Sequence, residues 1–306
     1  MRRIRTIILG GLCAIIFAKT YGQQDPQYTQ YMYNMNVLNP AYAGSQGTLS
    51  IGLLGRTQWV GINGAPQTLT TAIHAPLGNR VGMGLSVIAD QIGPVKEQNA
   101  YVDVSYTMET SYEGRLAFGL KGGVTFQNIS KNLFYPDNED ILIDAAPNKT
   151  MPNFGAGVFY YTNKYYLGLS MPNILKSRHY LKESGVLTKA TEKMHVFLTS
   201  GYVFDLNPDL KLKPSVMLKA VNGAPLSIDL SANALIRDKF EVGLSWREGD
   251  SVSGMVNFLF TPTLRVGYAY DYTLTNLSMF NSGSHEVFIL YNLDLSRGDL
   301  NSPRFF

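Results

Sequence analysis

Short stretches in which apolar and polar residues alternate follow one another from residue 48 to residue 295. An extended chain over 114–126 places these apolar residues on one face: Leu116, Phe118, Leu120, Val124 and Phe126. The opposite face carries Ala117, Gly119, Lys121, Gly123 and Thr125. A bilayer core has no water for unpaired backbone groups, so only helices and closed barrels span it, and the alternation favours the barrel. We predict an all-β fold, a transmembrane antiparallel β-barrel of about fourteen strands in an outer membrane.

The strand boundaries follow from the alternation and from the turn residues between the stretches. The predicted strands are 48–58, 67–75, 81–91, 99–109, 115–127, 152–161, 165–171, 194–205, 210–220, 225–236, 239–247, 252–260, 263–273 and 285–295. Pro214 cannot donate a backbone hydrogen bond to a neighbouring strand. We therefore expect a bulge or an irregular edge at that position.

The lengths of the connections predict an orientation. With the N-terminus in the periplasm, the even-numbered connections should be short periplasmic turns and the odd-numbered ones longer outward loops. The three longest connections, near 128–151, 172–193 and 274–284, all belong to the odd set. We therefore predict a multi-pass barrel whose N- and C-termini are both periplasmic.

The beginning of the chain has the composition of a signal peptide. Three arginines precede an apolar run over 7–18, which is too short to span a membrane as a helix. Thr20 and Gly22 are small enough to fit cleavage before Gln23. We predict a signal peptide over 1–22.

The mature chain is predicted to be one outer-membrane barrel domain over 23–306, with a plug or periplasmic segment over 23–46 and a periplasmic tail over 296–306. Removing the signal peptide takes away four of 26 basic residues and no acidic one, which leaves a formal charge of −1. Charged residues make up 16% of the chain, against roughly 25% in soluble domains, as expected where outer-membrane lipids replace water. No basic patch carries a groove-reading motif, so nucleic acid is not an expected partner.

The segment before the first predicted strand has signals of a short helix. Asp25 can cap it with Pro26 at the first helical position, and Asn39-Pro40 would end it. One face would then carry Tyr28, Tyr31, Met32 and Met35. Such a helix is either a docking site for a periplasmic partner or a plug packed into the barrel mouth or lumen, as aromatic and methionine stripes at helical spacing usually are.

Charged residues of both signs fall at inward-facing positions of the predicted strands. They are Arg56, Asp103, Lys121, Asp229, Glu241, Arg247, Arg265 and Asp271. This pattern fits either the lining of a water-filled pore or a salt-bridged, occluded lumen. Only the occluded lumen also explains a buried N-terminal segment.

Two of the long loops have opposite charge. The first gathers carboxylates beside an aromatic residue, which suggests either a calcium site without the EF-hand spacing or a solvated acidic loop: Tyr135, Asp137, Glu139, Asp140 and Asp144. The second is basic, with Lys176, Arg178, Lys182 and Lys189 against Glu183. We name these loops, together with the terminal Arg304, Phe305 and Phe306, as candidate partner-binding sites.

Catalytic and metal-binding motifs are not found in the sequence. It has no GxSxG elbow, P-loop or HExxH motif, and its four histidines lack metal-ligand spacing. The single cysteine, Cys13, lies in the predicted signal peptide, where Leu12 does not suit a lipoprotein anchor. We therefore expect neither enzyme activity nor a cofactor or metal.

Several blocks along the chain resemble the PorP/SprF family of Bacteroidetes outer-membrane proteins. The first block comprises Asp25, Pro26, Gln27, Tyr28, Gln30 and Tyr31, and the second Asn39, Pro40, Ala41, Tyr42 and Gly44. A third includes Arg56, Gln58 and Trp59, followed by 64–68, and a fourth is the terminal 302–306. Together these blocks bracket the whole mature chain.

This resemblance implies a non-enzymatic part in the type IX secretion and gliding machinery. Members are thought to hold secreted surface proteins, such as adhesins with C-terminal sorting domains, and to contact periplasmic OmpA-like peptidoglycan-binding proteins. The alternative is an outer-membrane small-molecule transporter with a movable N-terminal plug. The variable loops do not indicate which secreted client the protein serves.

Overall fold

The computed structural model describes residues 27–129, 148–175 and 194–294, together with the backbone of 178–183 and 186–191. Among these residues, no helix combines the length and apolar character needed to cross a membrane. The strands are β1 Leu49–Thr57, β2 Gln67–Pro76, β3 Val81–Ile92, β4 Val95–Glu109, β5 Arg115–Ile129, β6 Lys149–Tyr161, β7 Tyr165–Met171, β8 Arg178–Glu183, β9 Val186–Thr191, β10 His195–Tyr202, β11 Phe204–Asn207, β12 Leu210–Val221, β13 Ser227–Ile236, β14 Phe240–Arg247, β15 Ser251–Leu259, β16 Leu264–Thr273 and β17 Ser284–Leu293.

The strands close into a fourteen-stranded antiparallel barrel, as predicted. Sequence neighbours pair along most of the sheet, β1 pairs with β17, and β10 pairs with β12 to complete the ring. All fourteen predicted strands are confirmed, with shifts of a few residues at their ends. Two elements are additional: the short β11, and the separate β8–β9 hairpin within the second long loop.

Pro214 coincides with the irregularity that its chemistry predicts. It lies opposite Ala232 of β13 in unbroken register, but pairing on its other side stops at Ser215 and resumes at Leu212. The backbone N–H of Val203, between β10 and β11, donates instead to the carbonyl of Lys164 at 2.7 Å. The break divides one long strand into β10 and β11.

The two ends of the barrel differ as expected. At one end, here called the turn end, tight turns of two to five residues join the strands at 77–80, 110–114, 162–164, 208–209, 237–239 and 260–263. The other end, here called the loop end, carries the long connections between β5 and β6, between β7 and β10, and between β16 and β17. Strand β1 begins and β17 finishes at the turn end.

The alternating side chains face two different environments. Leu244 is 69% exposed on the outer face, while its neighbour Ser245 is 9% exposed and faces the lumen. The same alternation runs through β5, where Leu120 is exposed and Lys121 is buried. An apolar outer belt and a polar interior are what a strand of a membrane barrel requires.

Residues 27–48 occupy the lumen, where they form three short helical pieces instead of one helix. A 3₁₀ turn covers Tyr31–Tyr33, one α-helical turn covers Met35–Leu38, and a second 3₁₀ turn covers Pro40–Tyr42. The expected stop at Asn39-Pro40 is confirmed, but a continuous helix is not, because Gln30 and Asn34 have non-helical backbone angles. The predicted cap, Asp25-Pro26, lies outside the described residues.

This lumen segment runs along the barrel from end to end. Gln27 contacts Arg247, the last residue of β14 at the loop end. Gly44 lies against Pro76 and Gly82, at the turn end. The chain then reverses into β1, so the first described residue lies at the opposite end of the barrel from Leu49. The expected periplasmic location of the N-terminus itself stays a prediction.

Candidate functional site in the barrel lumen

The loop end of the lumen contains a buried cluster of one arginine and two carboxylates. Arg56 lies 2.7 Å from Asp271 and 3.1 Å from Glu286, and all three side chains are at most 3% exposed. The backbone N–H groups of Thr29 and Gln30 donate to the Glu286 carboxylate at 2.9 and 2.7 Å. The Thr29 hydroxyl donates to Asp271 and accepts from Arg56 at 2.8 Å. The cluster therefore joins the two carboxylates through one arginine, and its remaining acceptors bind the lumen segment.

A second arginine binds the same part of the segment from the other side. Arg247 pairs with Asp229 through two hydrogen bonds of 2.7 and 3.0 Å. Its remaining N–H groups reach the Tyr28 carbonyl at 3.3 Å, the Gln27 side chain at 3.0 Å and the Asp250 carboxylate at 3.2 Å. A guanidinium can do this because it presents five donors in a planar fork.

Midway along the lumen, an ion pair holds the α-helical turn. Lys121 lies 3.2 Å from Asp103, and both side chains are at most 1% exposed. Lys121 also donates to the carbonyls of Asn36 and Val37, at 3.4 and 3.2 Å, while the Asn36 amide donates to Asp103 at 3.1 Å. The carbonyl groups of a helix end attract a cation, which fits this placement.

A third cluster surrounds Tyr33. Its hydroxyl donates to Glu241, which also accepts from Arg265 at 2.8 Å and from Asn233 at 2.6 Å. Arg265 and Lys213 lie over the Tyr33 ring at 5.4 and 5.6 Å from its centroid. Cations at this distance from an aromatic face are attracted to it.

Close backbone approach, and not charge, positions the last part of the segment. A Cβ added at Gly119 would lie 2.1 Å from the backbone nitrogen of Ala41, and one at Gly82 would lie 2.0 Å from the carbonyl oxygen of Ala43. Only glycine leaves room for a second backbone at these distances. The Ser105 hydroxyl donates to the Ala43 carbonyl at 2.6 Å.

The eight inward charges that the alternation predicts are all buried in the lumen, and each has an oppositely charged partner. Three further charged residues buried in the lumen, Glu286, Lys213 and Lys219, are not among the predicted eight. Glu286 falls on the inward face of β17 beside Ser284 and Phe288, so the alternation of that strand would have placed it correctly.

Most residues of the first two family blocks lie together in the lumen. Tyr28, Gln30, Tyr31, Asn39, Pro40, Ala41 and Tyr42 are buried in the lumen segment. Gln58 and Trp59 lie instead in the β1–β2 loop, where the Trp59 N–H donates to the Ser284 hydroxyl at 3.1 Å. Trp59 therefore connects the β1–β2 loop to the start of β17 at the loop end.

Most of the candidate partner-binding residues are not among those that the structure describes. Tyr135, Asp137, Glu139, Asp140, Asp144, Lys176 and the terminal Arg304, Phe305 and Phe306 lie outside the described residues. Arg178 and Lys182 lie on β8, which pairs with β9 in a hairpin. Their role in binding stays a prediction.

The lumen is packed with protein over the described residues. The lumen segment, the ion pairs and the aromatic contacts fill its cross-section, and Tyr31 is 1% exposed. The described residues contain no group of three or more His, Cys, Asp or Glu side chains placed to hold a metal ion. This arrangement favours the occluded, salt-bridged lumen over an open pore.

Comparison with family models decides the class of the protein. A model described as the type IX secretion system membrane protein PorP/SprF matches residues 20–291. The chain belongs to the PorP/SprF family. The family and the barrel fold together place it in the outer membrane, in a role related to type IX secretion, and indicate a non-enzymatic component. A search of curated proteins finds no match.

Solved structures with a similar fold include small-molecule transporters and channels. The toluene transporter TbuX of Ralstonia pickettii is 12% identical, with 83% of this chain and 92% of that chain covered and a TM-score of 0.50. The monoaromatic hydrocarbon channel CymD is 12% identical, with 85% and 92% covered and a TM-score of 0.51. The P. putida toluene transporter TodX is 10% identical, with 87% and 95% covered and a TM-score of 0.50. At these identities the likeness shows the fold alone.

Proposed function

We propose that this PorP/SprF barrel is a non-enzymatic anchor that holds a secreted surface protein with a C-terminal sorting domain at the cell surface. The observation that carries the proposal is the filled lumen of a type IX secretion family member. A barrel whose interior is occupied by its own chain binds other proteins at its ends. The loop end offers the larger surface for this purpose, since its connections are the longer ones.

The proposed anchor also contacts the periplasm at its turn end. An OmpA-like peptidoglycan-binding protein is the partner proposed there, bound by the tail over 296–306. Arg304, Phe305 and Phe306 combine a guanidinium with two aromatic rings, which are residue types enriched at protein interfaces. Deleting 302–306 should reduce co-purification of the periplasmic partner while the barrel still assembles.

The orientation is tested by cysteine labelling, because the mature chain has no native cysteine. Single cysteines replacing Asn138 or Glu183 should react with a membrane-impermeant maleimide on intact cells. A cysteine replacing Asn207, at the turn end, should react only after the outer membrane is opened. Surface labelling of the Asn207 variant would reverse the proposed orientation.

The anchor function is tested by replacing loops. We expect that a Gly/Ser linker in place of 130–147 or of 178–191 leaves the barrel inserted and heat-modifiable but releases the secreted client into the medium. Opposite charge in these two loops would improve encounter and register with a folded partner. The matched control is the same replacement in the short 222–226 loop at the same end. A client that stays on the cell after both long loops are replaced would show that the anchor proposal is wrong.

A small-molecule transporter is the competing function, and the fold of the solved neighbours is the observation that favours it. Planar-bilayer conductance separates the two proposals. The anchor should be nearly silent both as the intact chain and after loop replacement. A transporter should pass solute or current when the lumen segment is loosened by Glu286→Gln.

A further inference from the structure

The lumen segment is bound at the loop end through both its main chain and its side chains. Glu286 accepts two successive backbone N–H groups, from Thr29 and Gln30, at 2.9 and 2.7 Å. Arg247 donates to the Tyr28 carbonyl at 3.3 Å. These groups are common to every peptide, so this part of the site recognises a peptide backbone.

Three side-chain contacts add selectivity. The Tyr28 hydroxyl shares a hydrogen bond with the Thr70 hydroxyl at 2.9 Å. The Thr29 hydroxyl lies between Asp271 and Arg56, at 2.8 Å from each, and can be replaced only by another hydroxyl. The Gln27 amide oxygen accepts from Arg247 at 3.0 Å. The ligand that fits is a short peptide with a tyrosine at the position of Tyr28 and a threonine or serine at the position of Thr29.

The charged wall groups are linked to one another by ion pairs that do not include the segment. Arg56 pairs with Asp271 and Glu286, and Arg247 pairs with Asp229, through contacts between barrel strands alone. The rigid barrel therefore preorganises the site, and binding to a preorganised site costs less ordering of the protein.

We propose that the loop end of the lumen is a peptide-binding site whose resident ligand is the chain's own Gln27–Gln30, and that a separate peptide of the same chemistry binds there when the resident ligand is disabled. This proposal concerns the barrel interior and does not rest on the proposed anchor function. The resident ligand has the advantage of its covalent link, which corresponds to an effective concentration on the order of millimolar. A peptide in solution therefore competes only when that link is made ineffective.

The experiment uses the full-length barrel in detergent and a fluorescein-labelled peptide of residues 27–34. Thr29→Pro removes from the resident segment both the N–H that Glu286 accepts and the hydroxyl between Asp271 and Arg56. We expect saturable binding of the peptide to the Thr29→Pro barrel by fluorescence anisotropy. Binding to the unmodified barrel should be at least about tenfold weaker, since its site is occupied.

Matched controls separate site-specific binding from adsorption. The same peptide carrying proline at the Thr29 position should not bind the Thr29→Pro barrel. Adding Glu286→Gln to that barrel should weaken binding about tenfold, because two charge-assisted hydrogen bonds become neutral ones. Gln30→Pro, which removes a single N–H, is the second variant in case Thr29→Pro does not assemble. The proposal is overturned if assembled Thr29→Pro and Gln30→Pro barrels bind the peptide no better than the unmodified barrel, or if the proline peptide binds equally well.

Discussion

The two halves of the lumen segment are held by different physical means. The mouth half, Gln27–Tyr33, is bound by charged side chains that reach its backbone from the barrel wall. The base half, Asn36–Gly44, begins where the Lys121–Asp103 ion pair binds Asn36 and Val37. From Asn39 to Gly44 it lies against wall glycines at distances where a single methyl group would collide. Directional contacts with charged groups can be broken one at a time, whereas a fit of backbone against backbone is lost only when the wall changes shape. The mouth half is therefore the part of the plug that is suited to release.

Replacing Arg56, in the cluster that binds the mouth half, should have the largest effect on stability. Arg56→Met leaves Asp271 and Glu286 buried without the cation they share. Removing one partner of a buried ion pair costs about 3–5 kcal/mol, so we expect a loss of that order in the free energy of unfolding in lipid vesicles. Chymotrypsin should then cleave the folded barrel after Tyr28 or Tyr31 but not after Tyr42.

The control for this change is an exposed ion pair. Lys211 lies 2.7 Å from Asp238 at the turn end, with side chains 34% and 64% exposed. Exposed pairs contribute about 0–1 kcal/mol, so Lys211→Met should leave both stability and cleavage nearly unchanged. Cleavage after Tyr42 in the Arg56→Met barrel would mean that the two halves are released together and that the distinction between them is wrong.

A methyl group at the base should have the next largest effect and act on the other half. Gly119→Ala places a Cβ 2.1 Å from the backbone of Ala41, so either the wall or the segment must move. Inserting atoms into a packed interior costs about 1–3 kcal/mol. We expect cleavage after Tyr42 in this variant while the sites at Tyr28 and Tyr31 stay protected.

The chain offers a matched glycine for comparison. At Gly254, on β15, an added methyl group would have no neighbouring atom within 4 Å, so Gly254→Ala should cost little. Equal loss of stability in Gly119→Ala and Gly254→Ala would indicate a general effect of strand glycines and would argue against a shape-based fit of the base half.

The barrel fold, and which side chains point outward or into the lumen, could be predicted from sequence because both follow from a period of two residues. The outward position of Leu244 and the inward position of Lys121 depend only on strand alternation and the need to keep charge out of lipid. The break beside Pro214 could also be predicted, since it follows from a missing donor.

The path of the lumen segment could not be predicted in the same way. Its backbone turns at Gln30 and Asn34 to meet Glu286, Asp103 and Gly119, which lie far away in the sequence. Local helix signals were outweighed by these long-range contacts, so one expected helix became three short pieces. The ion-pair partner of each lumen charge could not be predicted either, because it depends on which strands the closed barrel brings together.

The smallest expected effect comes from a polar side chain in the base half. Asn39 accepts a hydrogen bond from the Ala41 N–H at 3.0 Å and donates to the Val158 carbonyl at 3.1 Å. Asn39→Ala removes this cap, at a cost of about 0.5–2 kcal/mol, but leaves the contact with Gly119 intact.

If shape holds the base half, Asn39→Ala should lower the midpoint of unfolding without exposing Tyr42 to chymotrypsin. A Cβ added at Gly157 would lie 2.1 Å from the Oδ1 atom of the same Asn39 side chain. Gly157→Ala should therefore be more harmful in the normal chain than in the Asn39→Ala background, a coupling that a double-mutant cycle measures directly. Additive effects of the two changes would mean that the wall and the segment do not fit each other closely at this point, and the base half would then depend on hydrogen bonds as the mouth half does.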